Sequence, residues 1–298
     1  MTFNDDARFD TSKASKRSGG RKAAIGGGGS IAVILLVVVA QQFGLDLSGL
    51  VGGGGDTANI AVEGTGDSDL SRCSTGAAAN QDDECRVVGA ANSLDAYWEA
   101  EFPRIASAQY ASPHVNLFEG SVSTACGNAS SAVGPFYCPG DQDIYLDTSF
   151  YKTLRSQLGA DGGSLAQMYV VAHEWGHHIS TLTGAMAAAE RGDSGPTSDS
   201  VRIELQADCY AGAWVGAAAT TKDDGGTTFL KPPTKAEIAD ALDTAQAIGD
   251  DAIQGQSGTV RPESWTHGSS EQRQRWFTTG LERGAGACDT FAVSGSKL

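Results

Sequence analysis

Residues 172–178 read AHEWGHH, inside the apolar run VVAHEWGHHIS. Four ionisable side chains in such a run constrain the fold strongly, because a buried polar group has to find a partner. An α-helix advances about 100° per residue, so positions four apart share a face. His173 and His177 therefore project the same way, one turn apart. That separation suits two imidazole nitrogens on one tetrahedral Zn²⁺. Glu174 is offset from them, where a carboxylate takes a proton from metal-activated water instead of binding the metal. His178 points elsewhere and reads as a surface or second-layer residue.

Two imidazoles leave such a site short of a ligand. The run VRIELQADCYAGAW supplies a candidate in Glu204, with Asp208 four residues later on the same helical face. Glu204 completes a His₂Glu set. Asp208 can accept the ring N–H of a liganding histidine and fix its tautomer. The competing reading is a solvated acidic face shared with Arg202, which the surrounding alanines and aromatics disfavour. Gly176 leaves room for another helix to approach. A late THGSSEQR offers His267 and Arg273 in a chain with only five histidines.

The rest of the chain bounds where this chemistry sits. The formal charge is −15 and it is unevenly spread. The first 22 residues hold six of the 21 basic and three of the 36 acidic residues, leaving 15 against 33 for the remainder. Such a body repels phosphate backbones, which excludes nucleic acid as a partner class. Behind the basic head lies an uncharged stretch from Ala23 to Leu45, long enough for a hydrocarbon core that needs about 20 residues. Basic residues on its N-terminal side predict that the N-terminus stays inside. A cleavable signal peptide is the alternative. Both readings place the remainder outside the cytoplasm, and six cysteines agree: an even count in an exported chain favours disulfides. Spacing suggests Cys73–Cys85 and Cys126–Cys138 as local loops, leaving Cys209 with Cys288; a free, buried Cys209 is the competing reading.

Along the chain, residues 1–22 read as a disordered cytoplasmic basic tail, 23–45 as the membrane anchor and 46–84 as a flexible Gly/Asp-rich linker. The ordered domain is expected over 85–298. The spacing predicts a helix through VVGAANSLDAYWEAEFPRI, a strand at HVNLF, and two short strands around a Pro-Gly-Asp turn in VGPFYCPGDQDIYLDTSFY. The AHEWGHH helix is expected to run from a Ser164 N-cap to a Gly184 stop. Helices through Glu204, after the capping box Thr234/Glu237, and through THGSSEQRQRWFTTGLERG follow.

At this level the chain resembles the bacterial neutral zinc metallopeptidase family, membrane-anchored proteins with an HExxH helix. The stretches that carry the resemblance are GPFYCP, YLDTSFY, LGADGG, VVAHEWGHHIS, VRIELQADCYAGAW, ALDTAQAIGDD and SWTHGSSEQRQRWF, in order over about residues 90–290. The resemblance implies an α+β, mainly helical zincin-like domain with a small sheet, preceded by one N-terminal transmembrane helix. It implies one Zn²⁺ per chain held by His173, His177 and Glu204, with Glu174 as catalytic base and Asp208 behind a liganding histidine. A more distant similarity to minigluzincin-type membrane proteases pairs a late His with an Arg six residues on, as His267 and Arg273 are spaced here. Those proteins have Pro after the His, where this chain has Gly268. His267 is then a candidate stabiliser of the transition state, or a capping histidine.

The expected reaction is peptide-bond hydrolysis at a cell-membrane surface, with Tyr137 or Tyr145 as further candidates for the oxyanion and the strand around DIYLD as a template for an extended substrate. The competing classes are a metal-stabilised binding module without catalysis and a zinc amidase acting on a non-peptide or cell-wall amide.

Overall fold

A computed structural model describes residues 1–17, 70–152, 162–190, 192–256 and 258–298. Short polar side chains start most helices. Thr75 caps α1 (Gly76–Ala79) and Asp82 caps α2 (Asp83–Ile105) by accepting the N–H three residues on. The metal-motif helix, α3 (Ser164–Leu182), departs from expectation: Gly163 is its N-cap and brings no side chain. Asp240 of a later helix substitutes, accepting the Gly163 N–H at 3.0 Å. Gly184 ends α3 with φ +83, a backbone open to glycine, and the short α4 (Ala185–Ala188) follows. Ser198 caps α5 (Asp199–Ala217), the helix carrying Glu204 and Asp208. The Thr234/Glu237 capping box opens α6 (Lys235–Ala247) as expected. A second box, Ser269/Gln272, opens α8 (Ser270–Arg283), and between them lies α7 (Asp250–Gln256), which periodicity does not reveal.

The sheet has four strands in the order β1–β2–β6–β5. β1 (Ala14–Arg17), β2 (Val115–Phe118) and β6 (Asp143–Leu146) run parallel, and β5 (Phe136–Cys138) is antiparallel to β6. A separate hairpin pairs β3 (Ser121–Thr124) with β4 (Gly127–Ser130). Side chains alternate across the sheet. Val115, Leu117, Tyr137, Ile144 and Leu146 join the large core against the helices, whereas Phe118, Phe136, Cys138 and Tyr145 form a smaller core with Val122 and Val133. The expected DIYLD strand is thus flanked on both edges by β2 and β5 and offers no edge to a substrate; β5 does.

Glycines set the helix spacing. A Cβ on Gly176 of α3 would meet the Ala207 backbone of α5 at 2.7 Å. The α5–α8 contact is closer still: a Cβ on Gly280 would lie 1.8 Å from the Cys209 carbonyl oxygen. The disulfides are Cys73–Cys85, Cys126–Cys138 and Cys209–Cys288, which rules out a free Cys209.

The largest departure is at the N-terminus. Residues 1–17 are part of the folded domain, as are residues 70–84, so the head is no disordered tail. Met1, Phe3, Ala7, Phe9 and Ala14 are buried in the main core. Phe9 stacks on Phe229, and Asn4 hydrogen-bonds Phe229 and Thr228. The head reads as polar because its apolar residues are few and spaced, though each is buried. The proposed anchor, 23–45, lies outside the described residues. Among those described, no helix is long and apolar enough to cross a membrane.

Truncating Phe3, 1% exposed, should cost about 3–5 kcal/mol, the range for a buried Phe→Ala change. Denaturant unfolding of Phe3→Ala against wild type measures it; a disordered head would give no change.

Candidate metal centre

α3 and α5 cross face to face at Gly176 and Ala207, which brings three donors together. His173 Nε2 lies 3.2 Å from Glu204 Oε2, and His177 Nε2 lies 3.5 Å from Glu204 Oε1. The ligand atoms of His173, His177 and Glu204 all fall within 4.8 Å of one another, and all three side chains are buried. The two imidazole rings stand at 87° with centroids 4.7 Å apart. Two imidazoles and one carboxylate are a donor set that zinc takes readily.

The supporting contacts decide which nitrogen is available. Asp208 accepts from His173 Nδ1 at 2.8 Å, which leaves Nε2 facing Glu204. The Asp208 carboxylate is wholly buried and also accepts from Arg273, through Nε at 2.8 Å and Nη2 at 2.9 Å, and from the Tyr169 hydroxyl. Burial alone would raise its pKa; Arg273 and His173 outweigh burial and hold it below the usual carboxylate value. Tyr169 was not singled out from sequence, although Tyr169, His173 and His177 share one face at four-residue spacing.

Glu174 is different in kind. It is 6% exposed, and its Oε2 has no hydrogen-bond partner. Burial pushes its carboxyl up to about 7, against the lowering influence of His173 and of the Tyr137 backbone N–H. That N–H belongs to β5, so the edge strand runs beside the carboxyl group.

The remaining candidates sort by geometry. His178 is buried: Nε2 donates to the Ala111 carbonyl at 2.7 Å and Nδ1 accepts from the Tyr137 hydroxyl at 3.2 Å. It ties α3 to β5 and is no surface residue. Tyr137's hydroxyl is thereby engaged, and Tyr145's donates to Asp141 in the smaller core. Both hydroxyls thus have partners away from the three metal donors. His267 is buried close enough to Glu204 for each charge to shift the other. Its loop is built by Asp250, whose Oδ2 accepts the N–H groups of Thr266, His267 and Gly268 at 2.8, 2.7 and 3.0 Å, while Oδ1 faces His267 Nδ1 at 3.3 Å. Gly268 has φ +86 and donates its N–H. Proline can do neither, so the path this loop takes is closed to a proline at position 268. Asp250 carries no local sequence signal.

A sequence profile of the family described as "Putative neutral zinc metallopeptidase" matches residues 3–291. An uncharacterised protein of Mycobacterium tuberculosis (strain ATCC 25618 / H37Rv) is 49% identical over 298 residues, covering 99% of each chain. The uncharacterised protein YpfJ of Escherichia coli (strain K12) is 41% identical over 204 residues, 66% of this chain and 67% of that one. No solved structure matches the chain.

Asp208→Asn keeps the shape but not the charge behind His173. It should weaken zinc binding by about 10–100-fold, the usual cost of losing such a partner. Competition against a chelator of known affinity reads this directly; an unchanged affinity would remove Asp208 from its role.

Proposed function

The chain belongs to the neutral zinc metallopeptidase family, and from that premise we propose that it hydrolyses peptide bonds outside the cytoplasm, using one zinc ion per chain. The observation that carries this reading is Glu174. A buried carboxyl with an unpartnered oxygen, set beside the His173, His177 and Glu204 donors, has no use in a purely structural metal site. It has a use as a base.

Zinc, when bound by those three residues, supplies a Lewis acid that lowers the pKa of water from 15.7 towards about 7. Glu174, raised by burial above the usual carboxylate value, is a stronger base than an exposed glutamate. It takes the proton of the attacking water and delivers it to the leaving amine. Asp208, Arg273 and Tyr169 hold His173 still during this exchange. In this reading His267, held by Asp250, donates to the developing oxyanion. The substrate backbone lies extended along β5, which pairs only with β6 among the described residues. The Tyr137 N–H that reaches Glu174 belongs to that strand, which puts a peptide bound there next to the base. Three disulfides support a location outside the cytoplasm, since such bonds persist in oxidising compartments.

Incubation of the purified chain with a diverse peptide mixture should give cleavage that chelator abolishes and zinc restores. Glu174→Gln should keep its zinc and lose about 10²–10⁴-fold in rate, the usual share of a general base. His173→Ala should lose the metal. Zinc without cleavage in the wild type would leave a binding module; full activity in Glu174→Gln would unseat the base.

A further inference from the structure

We propose that residues 1–17 and residues 70–298 lie on the same side of any membrane the chain meets. The proposal is independent of the reaction. It rests on how residues 1–17 are held.

Four kinds of contact hold them. β1 pairs in parallel with β2 along its whole length, Ala14 opposite Val115 through Arg17 opposite Phe118. Five apolar side chains, from Met1 to Ala14, sit in the same core as the metal-motif helix. The body is shaped for the segment: a Cβ on Gly76 would meet the Asn4 carbonyl oxygen at 1.8 Å, and one on Gly89 would meet the Phe3 ring at 2.7 Å. The polar atoms are matched as well. Asn80 accepts the Phe3 N–H and donates to its carbonyl, and Asn92 does the same for Asp10.

The charges complete the argument. Basic residues before an apolar stretch normally signal retention inside. Here Lys16 is paired with Glu84 and Glu119, each at 2.7 Å, and Lys13 with Asp95 at 2.6 Å. These lysines neutralise the acidic body, so the retention signal shrinks to the remaining arginines and Lys22. Paired strands stand about 4.8 Å apart, whereas a single crossing would set the two parts about 30 Å apart across hydrocarbon. Only one of these arrangements can hold. The family profile begins at residue 3, which makes the N-terminal segment part of the shared unit and no variable appendage.

Thiol labelling tests this on the full chain. All six native cysteines are in disulfides, so an added one reports alone. Asp6 and Ser107 are exposed, one in each part. Asp6→Cys and Ser107→Cys are exposed in turn, in spheroplasts, to a membrane-impermeant maleimide, with lysed cells as the full-labelling control. Equal labelling of both supports the proposal. So does equal protection of both, which would instead refute the extracytoplasmic location proposed above. Labelling of Ser107→Cys with Asp6→Cys protected until lysis would overturn it, as would the reverse.

Discussion

The buried carboxylate of Asp208 is the point at which the helices that make the centre are joined. It sits on α5, takes the His173 ring and the Tyr169 hydroxyl from α3, and is clasped by Arg273 from α8. A lone buried charge is costly, and removing one member of a buried pair usually costs about 3–5 kcal/mol. Each of the three helices therefore depends on the others for its electrostatic balance. The metal donors inherit their positions from that arrangement: His173 is fixed by Asp208 directly, and Glu204 sits one turn before Asp208 on the same helix. Glycines on the facing surfaces let the backbones come close enough for short side chains to meet.

A second buried carboxylate, Asp250, does comparable work. It gathers three consecutive N–H groups and so fixes the turn that carries His267. Burial opposes charge on that ring, but Asp250 outweighs burial and raises its pKa above the ordinary value. The two carboxylates differ in what they hold. Asp208 steadies a group that holds metal, and Asp250 steadies one whose remaining nitrogen has no protein hydrogen bond among the described residues.

Much of this centre is legible in sequence because helices convert spacing into direction. His173, His177, Glu204 and Asp208 are each four apart on a face, and the structure brings them together. The two local cysteine pairs, each 12 residues apart, are also legible from their spacing. What spacing does not reveal depends on contacts between distant segments. Asp250 acts through a loop 16 to 18 residues away. Gly163 is capped from another helix by Asp240. His178 looks peripheral on its own helix and is buried only because Ala111 and Tyr137 cover it. The N-terminal head misleads most. Its charges match the pattern of a membrane flank, and only the acidic partners on α2 and beyond β2 give them another meaning.

That head also imposes an order on the making of the protein. Residues 1–17 leave the ribosome before residues 70–298, yet they bond to Phe229, Thr228 and Lys231 and lie against Asn80 and Asn92. Their last partners are more than two hundred residues downstream. Closing so long a loop is slow, although the entropy of closure grows only with the logarithm of its length. Until then the outer edge of β2 is an open ladder of donors and acceptors, the kind of edge that pairs with neighbouring chains. The nascent protein must therefore hold this early-made strand in reserve through most of its synthesis, and its exposure to aggregation is set by how soon that strand returns.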